Sequence, residues 1–533
     1  MIPDLSKLMT FRSLKTMCRL ISRDLQKNYS TGKPISLAKL ENLLYAGAGK
    51  VEFSNLIKSG VVTDSCPIKT VFVNQLAANN PIEDRWNVGL TEQMNDPASS
   101  CLFTVLDGHS GTACVHALVW SLLDYMCASL MLNDNLKIAL EQLHSCGLQH
   151  PYHLLHRLDF ISPKNDKQHL NNIAGPPSKL LSAYMRGCLR RYMEDLYNKP
   201  NRTMDPAECF IDAFKRIDDD LCSINFPNIL FDGQTTLLPF SSDESLNNSL
   251  NTSLARDLMR VNLSGSVGIA GYLQWHDKQS NRPTELYLAN VASNVEIDKG
   301  KGDKVLLTPI KCTKSHNGSC NPDEINRIAK EHPENPISEL FRENGRLLGE
   351  IAPCRSFGDV RYKWPLERLL KLTRFFEMVS LTFSREWLPL PRPYTSPPYL
   401  TALPEVTRIE ITPEDRYLIL ASDGLWDMLT VEQIAVQLTD ILELKKNQQE
   451  LFCPATQLLW STLTNVPVQM SRAILPGLDD KDPLFEHLLK TPNAISKRVH
   501  RKAITRALKL LSLPPGLARY NRDDITVLVF EFS

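Results

Sequence analysis

Residues 102–111 read Leu-Phe-Thr-Val-Leu-Asp-Gly-His-Ser-Gly, and they constrain the fold more than any other stretch. An apolar run containing β-formers stops abruptly at Asp107-Gly108-His109. A buried strand delivers polar groups to a sheet edge in this way. Asp107 then sits where the strand stops, Gly108 lets the backbone approach a ligand, and His109 points out of the turn. A carboxylate and an imidazole so placed suit a hard metal ion and a proton donor. An ordinary strand–turn–helix corner would leave the same trace, so the rest of the chain must decide.

Three more acidic stations do so. Glu83-Asp84 follows Pro81, which holds the backbone extended, and sets two carboxylates beside a strand. The buried strand pattern at 416–420 stops at Ser422-Asp423-Gly424, repeating the opening motif. Asn521-Arg522-Asp523-Asp524 precedes a final strand pattern at 525–532. A sheet fold can gather such strand ends at one rim. Crowded carboxylates repel unless divalent cations neutralise them. Oxygen ligands without a Cys or His cluster favour magnesium or manganese. Two such ions activate water and hold a phosphoryl group, so the donor set points to phosphate-ester hydrolysis.

Composition narrows the partners. The 60 basic and 60 acidic residues cancel, leaving no net field to attract nucleic acid or anionic lipid. Thirteen scattered cysteines fit reduced thiols rather than a disulfide framework. Cys312 and Cys320 flank His316, but the spacing fits no usual zinc pattern. No apolar run reads as a transmembrane segment; residues 112–132 carry His116 and Asp124 and read as a buried helix. Residues 1–31 are basic, amphipathic and poor in acid, the pattern of a mitochondrial transit segment.

Elsewhere, helices are expected at 111–132, 207–222, 321–330 and 431–445, and a hairpin pairs 265–273 with 285–291. Asp218-Asp219-Asp220 reads as a solvated helix face, 241–253 as a mobile loop and 382–404 as a surface flap.

The stations Glu83-Asp84, Asp107-Gly108-His109-Ser110-Gly111, Arg355-Ser356-Phe357-Gly358-Asp359, Asp423-Gly424-Leu425-Trp426-Asp427 and Arg522-Asp523-Asp524-Ile525-Thr526, in this order, resemble the metal-dependent PPM-type serine/threonine protein phosphatases. Within that family, 74–79, 345–349, Lys363-Trp364, 397–402 and 511–514 resemble the mitochondrial pyruvate dehydrogenase phosphatase branch. The resemblance implies an α+β fold, an antiparallel β-sandwich flanked by helices. It covers residues 70–533, with insertions near 133–200, 365–400 and 446–500, after a transit segment (1–31) and an extension (32–69). It also implies roles. Asp107 bridges two Mg2+ or Mn2+ ions, and the Gly108 carbonyl completes one shell. Asp423 and Asp523 hold the other ion, and Glu83 and Asp84 act through bound waters. His109 protonates the leaving serine oxygen, and a metal-bound hydroxide attacks. Asn79 falls where the family carries a phosphate-binding arginine, and Asp427 is left for a third ion. The implied substrate is the phosphorylated pyruvate dehydrogenase complex in the mitochondrial matrix, reached through the lipoyl domain of its acyltransferase core, with a regulatory subunit as a further partner. No EF-hand loop is present, so a calcium site would be shared with a partner.

Two departures stand out. Ser293 replaces the aspartate usual in Gly-Asp-Ser-Arg, and Ser315-His316-Asn317 replaces Asp-His-Asn. They support an alternative, a catalytically impaired pseudophosphatase acting as a binding or scaffolding module. The intact set Glu83, Asp84, Asp107, Asp423, Asp523 and His109 supports the enzyme.

Overall fold

The structure is a computed structural model that describes residues 42–91, 97–146, 153–163, 165–170, 178–222, 244–276, 280, 282–291, 295–300, 307–342, 345–371, 390–391, 394–446, 453–464, 507, 510–511, 513–514 and 516–533. The chain divides into two units, residues 1–44 with 460–514 and residues 45–459 with 515–533. The second carries both sheets and every acidic station.

Its strands are β1 (Gly49–Glu52), β2 (Ile68–Leu76), β3 (Arg85–Thr91), β4 (Ser100–His109), β5 (Leu155–Arg157), β6 (Ile161–Ser162), β7 (Asn165–His169), β8 (Gly265–Gln274), β9 (Thr284–Val291), β10 (Val295–Gly300), β11 (Leu307–Lys311), β12 (Phe357–Gly358), β13 (Glu405–Ile411), β14 (Asp415–Ala421) and β15 (Ile525–Phe532). They form an 8-stranded sheet, in the order β11-β10-β14-β15-β2-β1-β6-β7, and a 7-stranded sheet, β13-β9-β8-β4-β3-β5 with β12 beside β8. The described pairings between these strands are antiparallel. The expected hairpin is present, with Ile269 opposite Asn290.

Side-chain alternation explains the layering. On β4, Cys101, Phe103 and Val105 enter the core between the sheets, with Val71, Val73, Leu418, Leu420, Leu528 and Phe530 from the facing sheet. Phe103 and Phe530 meet across it at a ring-centroid distance of 4.4 Å. Leu102 and Leu106 point the other way, into a helical layer. That layer contains α1 (Ala113–Leu130), α2 (Asn133–Cys146), α3 (Lys179–Asn198), α4 (Pro206–Cys222) and α5 (Glu244–Leu263). Two further helices, α6 (Pro322–Glu331) and α7 (Val431–Lys446), match the expected 321–330 and 431–445.

By length and composition α1 could cross a membrane, but 78% of it is buried inside the protein. Its Asp124 accepts hydrogen bonds from His153 Nδ1 (2.9 Å) and the Leu154 amide (2.8 Å).

The structure corrects several expectations. Residues 244–253 begin α5 instead of forming a loop, because Leu254, Ala255, Leu258 and Met259 bury a helical stripe that carries the Ser/Asn-rich turns with it. Within the 133–200 segment, expected as an insertion with helices, α3 buries Leu181, Met185, Leu189 and Tyr192 in the helical core. β1, which falls within 32–69, pairs with β2, with Val51 opposite Val71; this pairing contradicts no expectation. In the 382–404 flap, residues 382–389 lie outside the described residues, but Tyr399 and Leu400 are buried and the Tyr399 amide donates to the Tyr362 carbonyl. Residues 1–31 lie outside the described residues as well.

Candidate active site

Where the core between the sheets reaches one rim, its inward positions turn from apolar to polar. After Cys101, Phe103 and Val105, the next inward positions on β4 are Asp107 and His109. Leu418 and Leu420 on β14 lead to Ser422, and Phe530 and Leu528 on β15 lead back to Thr526 and Asp524. One period-2 pattern thus builds both the core and the pocket.

At this rim Ser422 Oγ donates to Asp84 Oδ2 at 2.6 Å and accepts from the Thr526 amide at 3.1 Å. Gln75 Nε2 donates to the Asp84 carbonyl (3.1 Å) and to Thr526 Oγ1 (2.9 Å). Asp524 has a different task from its neighbour Asp523. Its carboxylate accepts from the Ala78 and Asn79 amides, from Asn79 Nδ2 (2.8 Å) and from the Glu83 amide (2.8 Å), which folds the 78–83 turn over the site. Glu83 Oε1 accepts from the Gly111 amide at 2.9 Å. Gly108 has no room for a side chain: a Cβ there would lie 2.7 Å from the Glu83 carbonyl oxygen and 2.9 Å from Val115 Cγ1.

Electrostatics show how tightly the acids are gathered. Burial foremost, then the charges of Asp423, Asp84 and Asp523, hold Asp107 well above the usual carboxylate range. Burial and the charge of Asp524 raise Asp84 likewise, against the hydrogen bonds from Ser422 and Thr526. Burial foremost, then the charges of Asp523 and Asp427, push Asp423 up to about 6. Burial and Asp523 raise Asp427. Asp107 thus feels the charges of Asp84, Asp423 and Asp523, and Asp427 joins the set through Asp423 and Asp523, so four separate stretches of sequence meet electrostatically. Such a set is costly without counter-cations, and its all-oxygen chemistry fits hard divalent ions.

His109 has a partner that sequence reasoning left without a role. Its Nε2 meets Asp359 Oδ2 at 2.8 Å, and Ser356 Oγ donates to the same oxygen at 2.7 Å. Burial opposes charging of the imidazole, but Asp359, Glu83 and Asp423 outweigh it and raise its pKa. Asp359 adopts φ 52°, a left-handed conformation that a non-glycine residue holds only when its surroundings impose it. Asp218 on α4 supplies that support, accepting from the Gly358 amide (2.9 Å) and from Lys363 Nζ (2.7 Å). The 218–220 run is therefore not one solvated face. Asp220 is buried and accepts from Tyr125 Oη at 2.8 Å, and only Asp219, paired with Lys215, lies open. The ladder puts Gly265 opposite His109, where a Cβ would fall 2.3 Å from His109 Nε2 and 2.2 Å from Asp359 Oδ2.

Asn79 is present at this rim, but its amide is already engaged: Nδ2 donates to Asp524, and Oδ1 accepts from Arg519 Nη1 at 2.6 Å. Ser293 lies outside the described residues. His316 is fully buried, with Nε2 2.9 Å from Glu405 Oε2, and the Ser315 carbonyl accepts from Asn321 Nδ2. Cys312 and Cys320 bond to backbone carbonyls instead of converging on His316.

The family profile described as Protein phosphatase 2C matches residues 236–456. The human protein named [Pyruvate dehydrogenase [acetyl-transferring]]-phosphatase 2, mitochondrial, is 30% identical over 471 residues, 86% of this chain and 77% of its own. This chain belongs to the PPM family of protein phosphatases. It is a protein serine/threonine phosphatase, in a family that depends on magnesium or manganese. The bovine protein named [Pyruvate dehydrogenase [acetyl-transferring]]-phosphatase 1, mitochondrial, is 28% identical over 470 residues, again 86% of this chain and 77% of its own. A solved structure of serine-threonine phosphatase 2C from Toxoplasma gondii aligns over 89% of this PPM chain and 98% of its own, at 13% identity and a TM-score of 0.35, too loose a likeness to carry an inference.

Proposed function

We propose that this phosphatase acts in the mitochondrial matrix and removes phosphate from serine on the pyruvate dehydrogenase complex, thereby activating it. The identity to relatives bearing that name, 30% and 28% over most of both chains, carries the substrate assignment. The basic, acid-poor pattern of residues 1–31 agrees with the location. Docking through the lipoyl domain of the acyltransferase core, with a regulatory subunit as a further partner, extends this reading.

The crowded rim supports the chemistry. Asp107 would bridge two divalent cations, the Gly108 carbonyl would complete one coordination shell, and Asp423 and Asp523 would hold the other ion. Glu83 and Asp84 would contribute through water, and Asp427 would serve a third, weaker ion. Bound there, the cations supply a water of lowered pKa and a counter-charge for the phosphoryl group. The chain's own residues do the rest. Ser422 and Thr526 orient Asp84 through the hydrogen bonds described above. Asp359, bonded at Nε2, holds His109 protonated and aimed, so that the other ring nitrogen, Nδ1, can give its proton to the departing serine oxygen.

The test is phosphate release from phosphorylated pyruvate dehydrogenase complex by the full chain in Mg2+ or Mn2+. Release that excess free lipoyl domain suppresses is the expected result. Cleavage of a generic phosphoserine peptide without release from the complex would overturn the substrate assignment.

A further inference from the structure

One basic side chain at the rim is not yet accounted for. Arg519 stands on a single 3-10 turn, Ala518–Tyr520, just ahead of Asp523. Its Nη1 donates to Asn79 Oδ1 at 2.6 Å and to Glu83 Oε2 at 2.8 Å, while 52% of the side chain stays exposed. Among the described residues only Nη1 of this fork is hydrogen-bonded. The nearby arginines are differently disposed. Arg522 donates to the Leu76, Ala77 and Asp523 carbonyls, and Arg85 to those of Ile82 and Asp84. Among the arginines bonded at this rim, Arg519 is the one that offers a charged fork to solvent.

Position 79 cannot fill the phosphate role by itself. An amide carries no charge, and both ends of this one are bonded. Its geometry suits a cradle: Asp524 fixes Asn79, and Asn79 with Glu83 fixes Arg519. We propose that Arg519 binds the phosphate of the incoming phosphoserine, with Asn79 as its positioning residue. A guanidinium presents parallel N–H donors that match two phosphoryl oxygens, which neither an amide nor an ammonium does. This inference rests on the phosphatase reading above and assigns a residue that the sequence motifs do not mark.

The test uses steady-state kinetics on a phosphoserine peptide, inhibition by inorganic phosphate, and the Mn2+ concentration for half-activation. Arg519→Gln is expected to raise KM and the phosphate inhibition constant together, about ten- to a hundredfold, the scale of one charge-assisted hydrogen bond. kcat/KM falls accordingly, while the Mn2+ requirement stays near wild type. Arg519→Lys restores part of the affinity, and Asn79→Arg added to Arg519→Gln restores more. Unchanged KM and inhibition constant in Arg519→Gln would overturn the proposal. So would a higher Mn2+ requirement at constant KM, because Arg519 would then only be holding Glu83. A wild-type chain without turnover would contradict the phosphatase reading instead. Calorimetric titration of inorganic phosphate into wild type and Arg519→Gln, both in Mn2+, still decides the role of Arg519.

Discussion

Asp107 is the residue on which the site's energetics converge, because burial and three neighbouring acids all oppose its charge. Without a counter-cation that charge destabilises the fold at neutral pH. Asp107→Asn is therefore expected to raise the melting temperature of cation-free protein while abolishing turnover. Wild type should gain several degrees on adding Mn2+ and the variant far less, as linkage of binding to folding requires. Differential scanning calorimetry with and without Mn2+ checks this. Asp359 has the opposite sign. Although burial opposes its ionisation, His109, Ser356 and Lys363 hold it below the usual range, and it in turn raises His109. Asp359→Asn removes that support, so the His109 pKa falls. The basic limb of the kcat–pH profile should then move to lower pH, with kcat reduced about 10²–10⁴-fold, the span of general acid catalysis. A limb that stays in place would separate Asp359 from His109.

At the scale of elements, the site depends on strands that come close without side chains in between. Gly265 on β8 lies opposite His109, and a methyl group there would overlap the His109–Asp359 contact. Gly265→Ala should keep the far-ultraviolet circular dichroism spectrum and lose most of kcat. The 355–359 stretch is tied to α6 by Arg355, which donates twice to Glu324 Oε1 (3.1 and 2.7 Å). Burial works against ionisation of Glu324, but Arg355 and Arg327 hold it at about 2. A pKa depressed from 4.5 adds stability that is present above pH 4.5 and lost as pH falls toward 2. Glu324→Gln should thus cost up to about 3 kcal/mol at pH 7, with the gap to wild type closing below pH 4.5 in urea titrations. Much of this level was legible in the sequence, because strand and helix periodicities are local: the 207–222 and 431–445 helices and the 525–532 strand are where the pattern puts them. The start of α5 was not, since its polar turns are carried by burial further along the helix. Asp218 and Asp220 were missed because their partners, Lys363, Gly358 and Tyr125, lie far away in the chain.

Across the whole catalytic unit, the two sheets share a core whose inward positions end in acids at one rim. The acidic stations were legible as motifs, and their convergence followed from the family resemblance rather than from any one stretch. Supports such as Ser422, Gln75, Asp524 and Arg519 carried little signal of their own, because what they do is set by which strands become neighbours. The proposed chemistry requires this rim to bind a pair of divalent cations between Asp107 and its acidic neighbours. Anomalous diffraction from crystals grown in Mn2+ tests it most directly. Two strong peaks are expected, both against Asp107, with Asp423 and Asp523 on one of them. A rim without peaks, or peaks at a site apart from Asp107, would contradict it.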